Sequence, residues 1–397
     1  MEGFDSGFGY NEINWRTNMT VIKNGVIHDV VHKEPYVADI QFENGKITAI
    51  GKDLQDEDVV DATGLHVYPG FIDAHSHLGL DGYGIGFEGQ DYNEMGDICT
   101  PQMRALDSFN PLDPSVKMAA MAGVTCVATG QGSANAIGGT WIAVKTHGKC
   151  VDDMIVKDSV AMKGALGENP KRCYKDKGNY ARMSTAAVVR NMMNQTKDYM
   201  ARKKAADGDP LKMPAYNQKC EAMIPVMEKK IPMKIHAHQA NDILTAIRLA
   251  KEFDVKLTLE HVTEGHLIAD ILAKNTQYPM AVGPTLTHAS KFELQNKSWT
   301  TPAVLSESGC MVSIITDAPV IPQQYLPLCA SLAVKAGMDP YEALKAITIN
   351  PAKHIGIEDR VGTLETGKDA DIVICDGDPF EVQTKILNVF IDGEKVA

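Results

Sequence analysis

The 397-residue chain predicts an α/β protein: a (β/α)8 barrel with a small β-sandwich built from both chain ends. Two observations carry the prediction. Apolar strand-like runs alternate with helical stretches over roughly residues 70–355, which is the signature of a parallel barrel. Strand-and-turn patterns sit at both termini, each too small to be stable alone.

Thr20–Ile27 reads as strand, turn and strand about Asn24-Gly25, and Ala38–Gly51 repeats the design about Asn44-Gly45. Asn-Gly is a hairpin signal because both residues accept positive φ. Val59–Ala62 and Leu65–Gly70 continue this β-unit, and Ile372–Asp376 and Lys385–Gly393 supply its counterpart at the other end. Pairing both ends gives one β-domain, residues 19–69 plus 356–397. The barrel, 70–355, is inserted in it, and residues 1–18 form an N-terminal extension. The expected barrel strands are Gly70–His77, Gly123–Thr129, Trp141–Thr146, Ser159–Leu166, Met233–His236, Lys256–His261, Met280–Gly283 and Met311–Asp317. Helices are expected at about 180–206 and 214–229, then at Asn241–Phe253, where Ile243, Leu244, Ile247 and Ala250 share a face, and at Thr263–Lys274. Residues 79–111, rich in Gly and acidic side chains, fall in the first strand-to-helix loop and should cover the mouth of the barrel.

Composition narrows the function. The chain is 44% hydrophobic with a net charge of −12 and no basic stripe, which argues against nucleic acid or an anionic membrane as partner. No apolar run approaches the roughly 20 residues of a membrane span. The eight cysteines are scattered without a Cys-X-X-Cys pair, as expected of reduced core residues in a cytoplasmic protein. The expected partner is a small-molecule substrate, and a homo-oligomer stays open.

Chemistry should lie at the C-terminal strand ends. The first strand ends in His75-Ser76-His77, whose i, i+2 imidazoles leave on the same side and suit a shared metal ion. The fifth ends in His236, with His238 two residues on; the sixth ends in His261; the eighth ends in Asp317. A lone His-X-His is as easily a hydrogen-bonded pair. Four histidines and an aspartate converging on one rim are hard to explain by packing.

Pro69–His77, preceded by Asn44–Ile47 and Asp61–Gly64, resembles the opening of the amidohydrolase superfamily. Asn350–Gly356, Gly362–Leu364 and Gly367–Val373 are similar to its closing passage. The resemblance covers about 19–397 and is nearest the imidazolonepropionase-like and prolidase-like members. It implies a TIM barrel dependent on a divalent metal, zinc, in one or two ions, held by His75, His77, His236, His261 and Asp317. In two-metal members the fourth strand bridges the ions with a carboxylated lysine or a glutamate. Lys163 and Glu168 are the candidates, and Glu168 is preferred because it stands at the strand's end; Lys145 is a weaker option on the third strand. His238 would touch substrate or orient a ligand, and Arg172 or Lys171 would pair with a substrate carboxylate. His266, His288 and Arg104 read as ordinary polar residues.

The expected activity is hydrolysis of a C–N bond in an amide or cyclic amide, dipeptidase-like cleavage included. Asp317 serves as base and then acid, and His261 polarises the substrate oxygen if one ion is bound. Deamination of an amino-heterocycle is the alternative. A non-catalytic binding protein fits less well, because all five mappable ligands are present.

Overall fold

The computed structural model describes residues 19–397; the expected extension, residues 1–18, lies outside the described residues. The two chain ends meet in one sheet. It contains β1 (Thr20–Ile27), β2 (Tyr36–Glu43), β3 (Lys46–Gly51), β4 (Asp58–Asp61) and β5 (His66–Pro69) from the start of the described chain. From its end come β14 (Ile372–Cys375), β15 (Ile386–Ile391) and β16 (Glu394–Lys395). The order is β16-β15-β14-β5-β1-β2-β3, with β4 also parallel to β1. The join is the antiparallel pair β5–β14, with Tyr68 opposite Val373. Asn44-Gly45 makes the expected hairpin between β2 and β3. Asn24-Gly25 does not reverse the chain. Asn24 takes φ 60° and absorbs a bulge inside a continuous β1, which pairs with β2 on both sides of it.

Gly70 alone separates β5 from the first barrel strand. A Cβ there would fall 2.1 Å from Thr125 Oγ1, so the crossing from sheet to barrel needs glycine. The barrel strands are β6 (Phe71–Ser76), β7 (Val124–Thr129), β8 (Ile137–Lys145), β9 (Ile155–Ala165), β10 (Met233–Ala237), β11 (Leu257–His261), β12 (Met280–Val282) and β13 (Val312–Ile314), paired in that order. Closure runs from β13 back to β6: Asp317 N–H donates to His75 O at 3.2 Å and His77 N–H to Ala318 O at 2.8 Å. Asp73 ties the same seam, its Oδ2 accepting from Thr316 N–H (3.0 Å), Thr316 Oγ1 (2.6 Å) and Gln323 (2.7 Å).

One strand departs from the parallel pattern. β8 is antiparallel to both neighbours, with Thr129 opposite Ile142 and Thr140 opposite Met162. The cause is connection length. Only Gly130–Ala136 joins β7 to β8, and parallel strands need a crossover of roughly a dozen residues or more. Lys145, at the end of β8, therefore points to the face opposite the one the sequence suggested. There its Nζ is buried 2.7–3.0 Å from Asp369, Asp371 and Asp392, joining barrel to sheet.

Helices Arg182–Ala206 and Gln218–Met227 lie between β9 and β10, and Ala240–Phe253 buries Ile243, Ala246, Ile247, Leu249 and Ala250. The stretch expected as a helix at Thr263–Lys274 shrinks to two short turns, Gly265–Ile268 and Ala269–Leu272. All eight cysteines are free. Among the described residues no helix is long and apolar enough to cross a membrane.

Candidate metal centre

β6 is buried along its whole length, and its end delivers His75 and His77 into the barrel. Each ring is fixed by its Nδ1. His75 Nδ1 lies 2.7 Å from Glu260 Oε2, His77 Nδ1 lies 2.7 Å from Gly130 O, and His261 Nδ1 lies 2.8 Å from Gly283 O. Carboxylate and carbonyl oxygens accept, so these nitrogens carry the proton and each Nε2 keeps a lone pair. Those lone pairs converge on Asp317. Its Oδ1 is 3.6 Å from His75 Nε2 and 3.3 Å from His77 Nε2. His261 Nε2 and both ring nitrogens of His236 are buried without a hydrogen-bond partner.

Donor atoms of His75, His261 and Asp317 lie within 4.8 Å of one another, as do those of His236, His238 and His261. Two candidate three-ligand groups thus share His261. Burial pushes the His261 ring down to about 4, and holds His75, His236 and His238 well below the usual imidazole range. Burial disfavours charge on Asp317, yet among the rings of His261, His77 and His75 its carboxyl is held well below the usual carboxylate range. Neutral imidazoles around an ionised carboxylate, with orphaned ring nitrogens aimed inward, fit a divalent metal site.

Residues 66–396 match the profile of the amidohydrolase family. The chain belongs to that family. A solved amidohydrolase from Thermotoga maritima MSB8 superposes on this amidohydrolase with a TM-score of 0.91 and 40% identity, covering 95% of this chain and 99% of that one. The amidohydrolase tasK of Hapsidospora irregularis is 27% identical over 392 residues, 90% of this chain and 40% of the relative. The imidazolonepropionase of Thermoplasma volcanium is 34% identical over 152 residues, 37% of this chain and 35% of the relative. The chain thus spans well under half the length of tasK.

The remaining predicted residues divide clearly. Lys163, inside β9, is fully buried with Nζ 3.2 Å from His75 Nε2, and burial pushes its amine down to about 7. Glu168 lies past the strand end, at the start of the short helix Glu168–Cys173. Its Oε2 accepts from Glu293 N–H at 3.2 Å, and no hydrogen bond or ion pair joins it to the histidines among the described residues. The amidohydrolase therefore brings Lys163, rather than the preferred Glu168, to the cluster, because Lys163 faces inward while Glu168 has left the strand. Asp81, Tyr92, Arg172, His238, Lys291 and Asp317 help to line a cavity of about 420 Å³ over the centre. Within it, His238 Nδ1 is anchored 2.7 Å from Thr263 Oγ1. Arg104 pairs with Asp158 at 3.0 Å and His266 with Thr301 at 2.9 Å, while Lys171 and His288 are exposed.

Sequence reading missed the polar layer beneath the centre. Glu260 is buried, with Oε2 2.7 Å from both His75 Nδ1 and Lys234 Nζ, and Oε1 2.8 Å from His354 Nε2. Burial opposes its ionisation, yet Lys234 and His354 hold it well below the carboxylate range. Strand alternation puts Glu260 and His261 on opposite faces. They both face inward because His261 takes φ 74° and Val262 φ 45°, which turns the chain at the strand end. Glu293 was also missed. Its Oε1 lies 2.7 Å from Lys291 Nζ, 3.5 Å from His236 Nε2 and 3.7 Å from His238 Nε2. Lys234 alone carried a signal, being two residues before His236 on the same strand face.

Proposed function

We propose that this protein is a metal-dependent hydrolase of C–N bonds, acting on an amide or cyclic amide of a small molecule. The observation that carries the reading is the set of three histidines, each anchored through Nδ1 and offering Nε2 around Asp317. Relatives named amidohydrolase and imidazolonepropionase support it. His75, His77, His236, His261 and Asp317 would hold the ion, zinc in our reading, and a carboxylated Lys163 would bridge if two are bound. A bound divalent ion supplies water acidified from a pKa of about 15.7 towards about 7, and polarisation of the substrate oxygen.

The protein's own groups do the rest. Asp317 takes the proton from the attacking water at its carboxylate and passes it to the leaving nitrogen. Its low pKa keeps it ready as a base. His238, whose Nδ1 faces the Thr263 hydroxyl, positions the carbonyl oxygen through Nε2–H. Arg172, on the cavity wall, would pair with a substrate carboxylate.

Metal analysis of the purified protein, joined to a screen of N-acyl amino acids, dipeptides, lactams and aminoheterocycles, tests the reading. Bound metal with release of an acid from an amide or lactam is the expected result. Ammonia release from aminoheterocycles alone would replace it with the deaminase reading, and absence of both metal and turnover would sink it.

A further inference from the structure

One wall of the cavity above the metal centre joins two segments far apart in the chain. One is the short helix Glu168–Cys173, and the other is the turn that begins at Lys291, after β12. Reciprocal bonds stitch them together. Glu168 N–H donates to Glu293 Oε2 at 2.8 Å, and Glu293 N–H donates to Glu168 Oε2 at 3.2 Å. A Cβ on Gly167, which takes φ 87°, would fall 2.6 Å from Glu293 Oε2, so this close approach needs glycine.

Lys291 stands on that wall with only 14% of its side chain exposed. Two oxygens hold its ammonium. Glu293 Oε1 lies 2.7 Å from Nζ, and Asn169 Oδ1 accepts from it at 3.1 Å. An ammonium has three N–H donors, so these two oxygens leave one over. The Glu293 oxygen beside Lys291 is also 3.5 Å from His236 Nε2 and 3.7 Å from His238 Nε2. The spare donor is thus one carboxylate away from the candidate ligands His236 and His238. Arg172 shares the wall. It follows Asn169 by three residues on the helix, on the same side, and lines the same cavity. Of the carboxylates that line the cavity, Asp317 stands with His75 and His77, and Asp81 is itself buried.

We propose that Lys291 is a specificity-determining residue: its spare N–H and the Arg172 guanidinium grip the two oxygens of one substrate carboxylate, carried close to the amide carbonyl that is cleaved. Asn169 and Glu293 are positioning residues that hold the ammonium. This role rests on the reading of the centre as an amide hydrolase, and it narrows the substrates to acids of the N-acyl amino acid type. A carboxylate turns the spare donor into a charge-assisted bond, which an uncharged carboxamide cannot do. The ammonium is already fixed, so little side-chain freedom is left to lose on binding.

Calorimetric titration of the metal-loaded full chain tests the role. The probes are the N-methanesulfonyl derivatives of glycine, alanine and proline, which carry the carboxylate but no cleavable amide, each paired with its carboxamide. Metal is held in excess and its content measured. At least one acid should bind about 10–100-fold more tightly than its carboxamide. Lys291→Met should reduce that ratio to about threefold or less, and Lys291→Arg should restore part of it. Because Lys291→Met leaves the buried Glu293 carboxylate without its partner, the Lys291→Met/Glu293→Gln protein is titrated beside it. Failure of every acid to bind, equal binding of acid and carboxamide, or a preference for the acid that survives in both Lys291→Met proteins would overturn the role. These titrations need no turnover. Acid-selective binding through Lys291 in a protein that hydrolyses no amide would keep the anion site and sink the hydrolase reading; amide hydrolysis with no preference for acids would do the reverse.

Discussion

Glu260 Oε2 lies 2.7 Å from His75 Nδ1, and this contact decides which nitrogen of the ring faces the metal centre. The same carboxylate neutralises buried Lys234 at 2.7 Å. Glu260→Gln should therefore have two separable effects. Loss of the anchor should weaken metal binding by about 10–100-fold. Leaving Lys234 unpaired should cost roughly 3–5 kcal/mol of stability. Adding Lys234→Met should recover much of the stability and none of the affinity. Equilibrium dialysis and thermal melts measure the two, and unaltered metal affinity in Glu260→Gln would refute the anchoring role.

Lys163 Nζ is 3.2 Å from His75 Nε2, with its amine pushed down to about 7 by burial, helped by Lys234 on the adjoining strand. The neutral form of such an amine can add carbon dioxide, with loss of a proton, to give a carbamate that would hold two ions together. Lys163→Ala should remove one metal equivalent and lower turnover by several orders of magnitude, whereas Glu168→Gln should retain both. Added bicarbonate should raise metal uptake only in proteins that keep Lys163. Metal content by elemental analysis decides this, and loss of metal in Glu168→Gln with retention in Lys163→Ala would reverse the assignment.

How far the centre was legible follows from strand geometry. His75 and His77 were readable because i, i+2 positions of a strand share a face, and His236, His261 and Asp317 because each ends an apolar run. Glu168 was preferred to Lys163 because the strand end was taken as the rim, yet a position two residues inward also faces the cluster. Glu260 was invisible, since alternation assigns it outward and only the left-handed φ of 74° at His261 turns both residues in. The alternating runs disclosed the barrel but not the direction of β8. The short interval between Thr129 and Ile137 carried that information, and apolar periodicity alone does not.

Asp317 stands 3.3 Å from His77 Nε2, and its carboxyl lies well below the usual carboxylate range despite burial. Asp317→Asn keeps the shape and one oxygen ligand but cannot carry the proton. Turnover should fall by about 10²–10⁴-fold, the range for a lost general base, while much of the metal stays bound. A variant that keeps most of its turnover would remove Asp317 from the proton path.

Arg172 is exposed on the wall of the cavity above the centre. If it pairs with a substrate carboxylate, Arg172→Ala should raise KM about tenfold and leave kcat nearly unchanged, the pattern of lost uniform binding. Steady-state kinetics on an acidic and an uncharged substrate of the same amide would show it, and an equal KM change for both would refute the pairing.

The buried histidines make stability depend on pH in a definite direction. Burial pushes His261 and His28 down to about 4 in the folded chain, against 6.5 for the free side chain. Between those values the unfolded chain binds protons that the folded chain does not, so stability rises with pH and falls on acidification. The loss begins as pH drops through about 6.5 and is complete for these two groups below about 4, at up to about 1.4 kcal/mol per pH unit for buried His261 and less for half-buried His28, which solvent screens. His75, His236 and His238 are shifted in the same direction and add to it. Asp317 and Glu260 are also held low, but from the carboxylate range, so their stabilising effect is full above that range and is lost only below it. Between pH 7 and 5 the histidines therefore dominate. Melting temperature of the metal-free chain should fall steadily over that interval, and His28→Gln should make the slope shallower by removing one of the titrating groups. His28 sits in the terminal sheet, with Nε2 2.8 Å from His66 Nδ1 and far along the chain from the metal-centre ligands, so the variant isolates linkage from metal binding. A melting temperature that stays flat from pH 7 to 5 in chelator would show that these histidines are not buried in the neutral form.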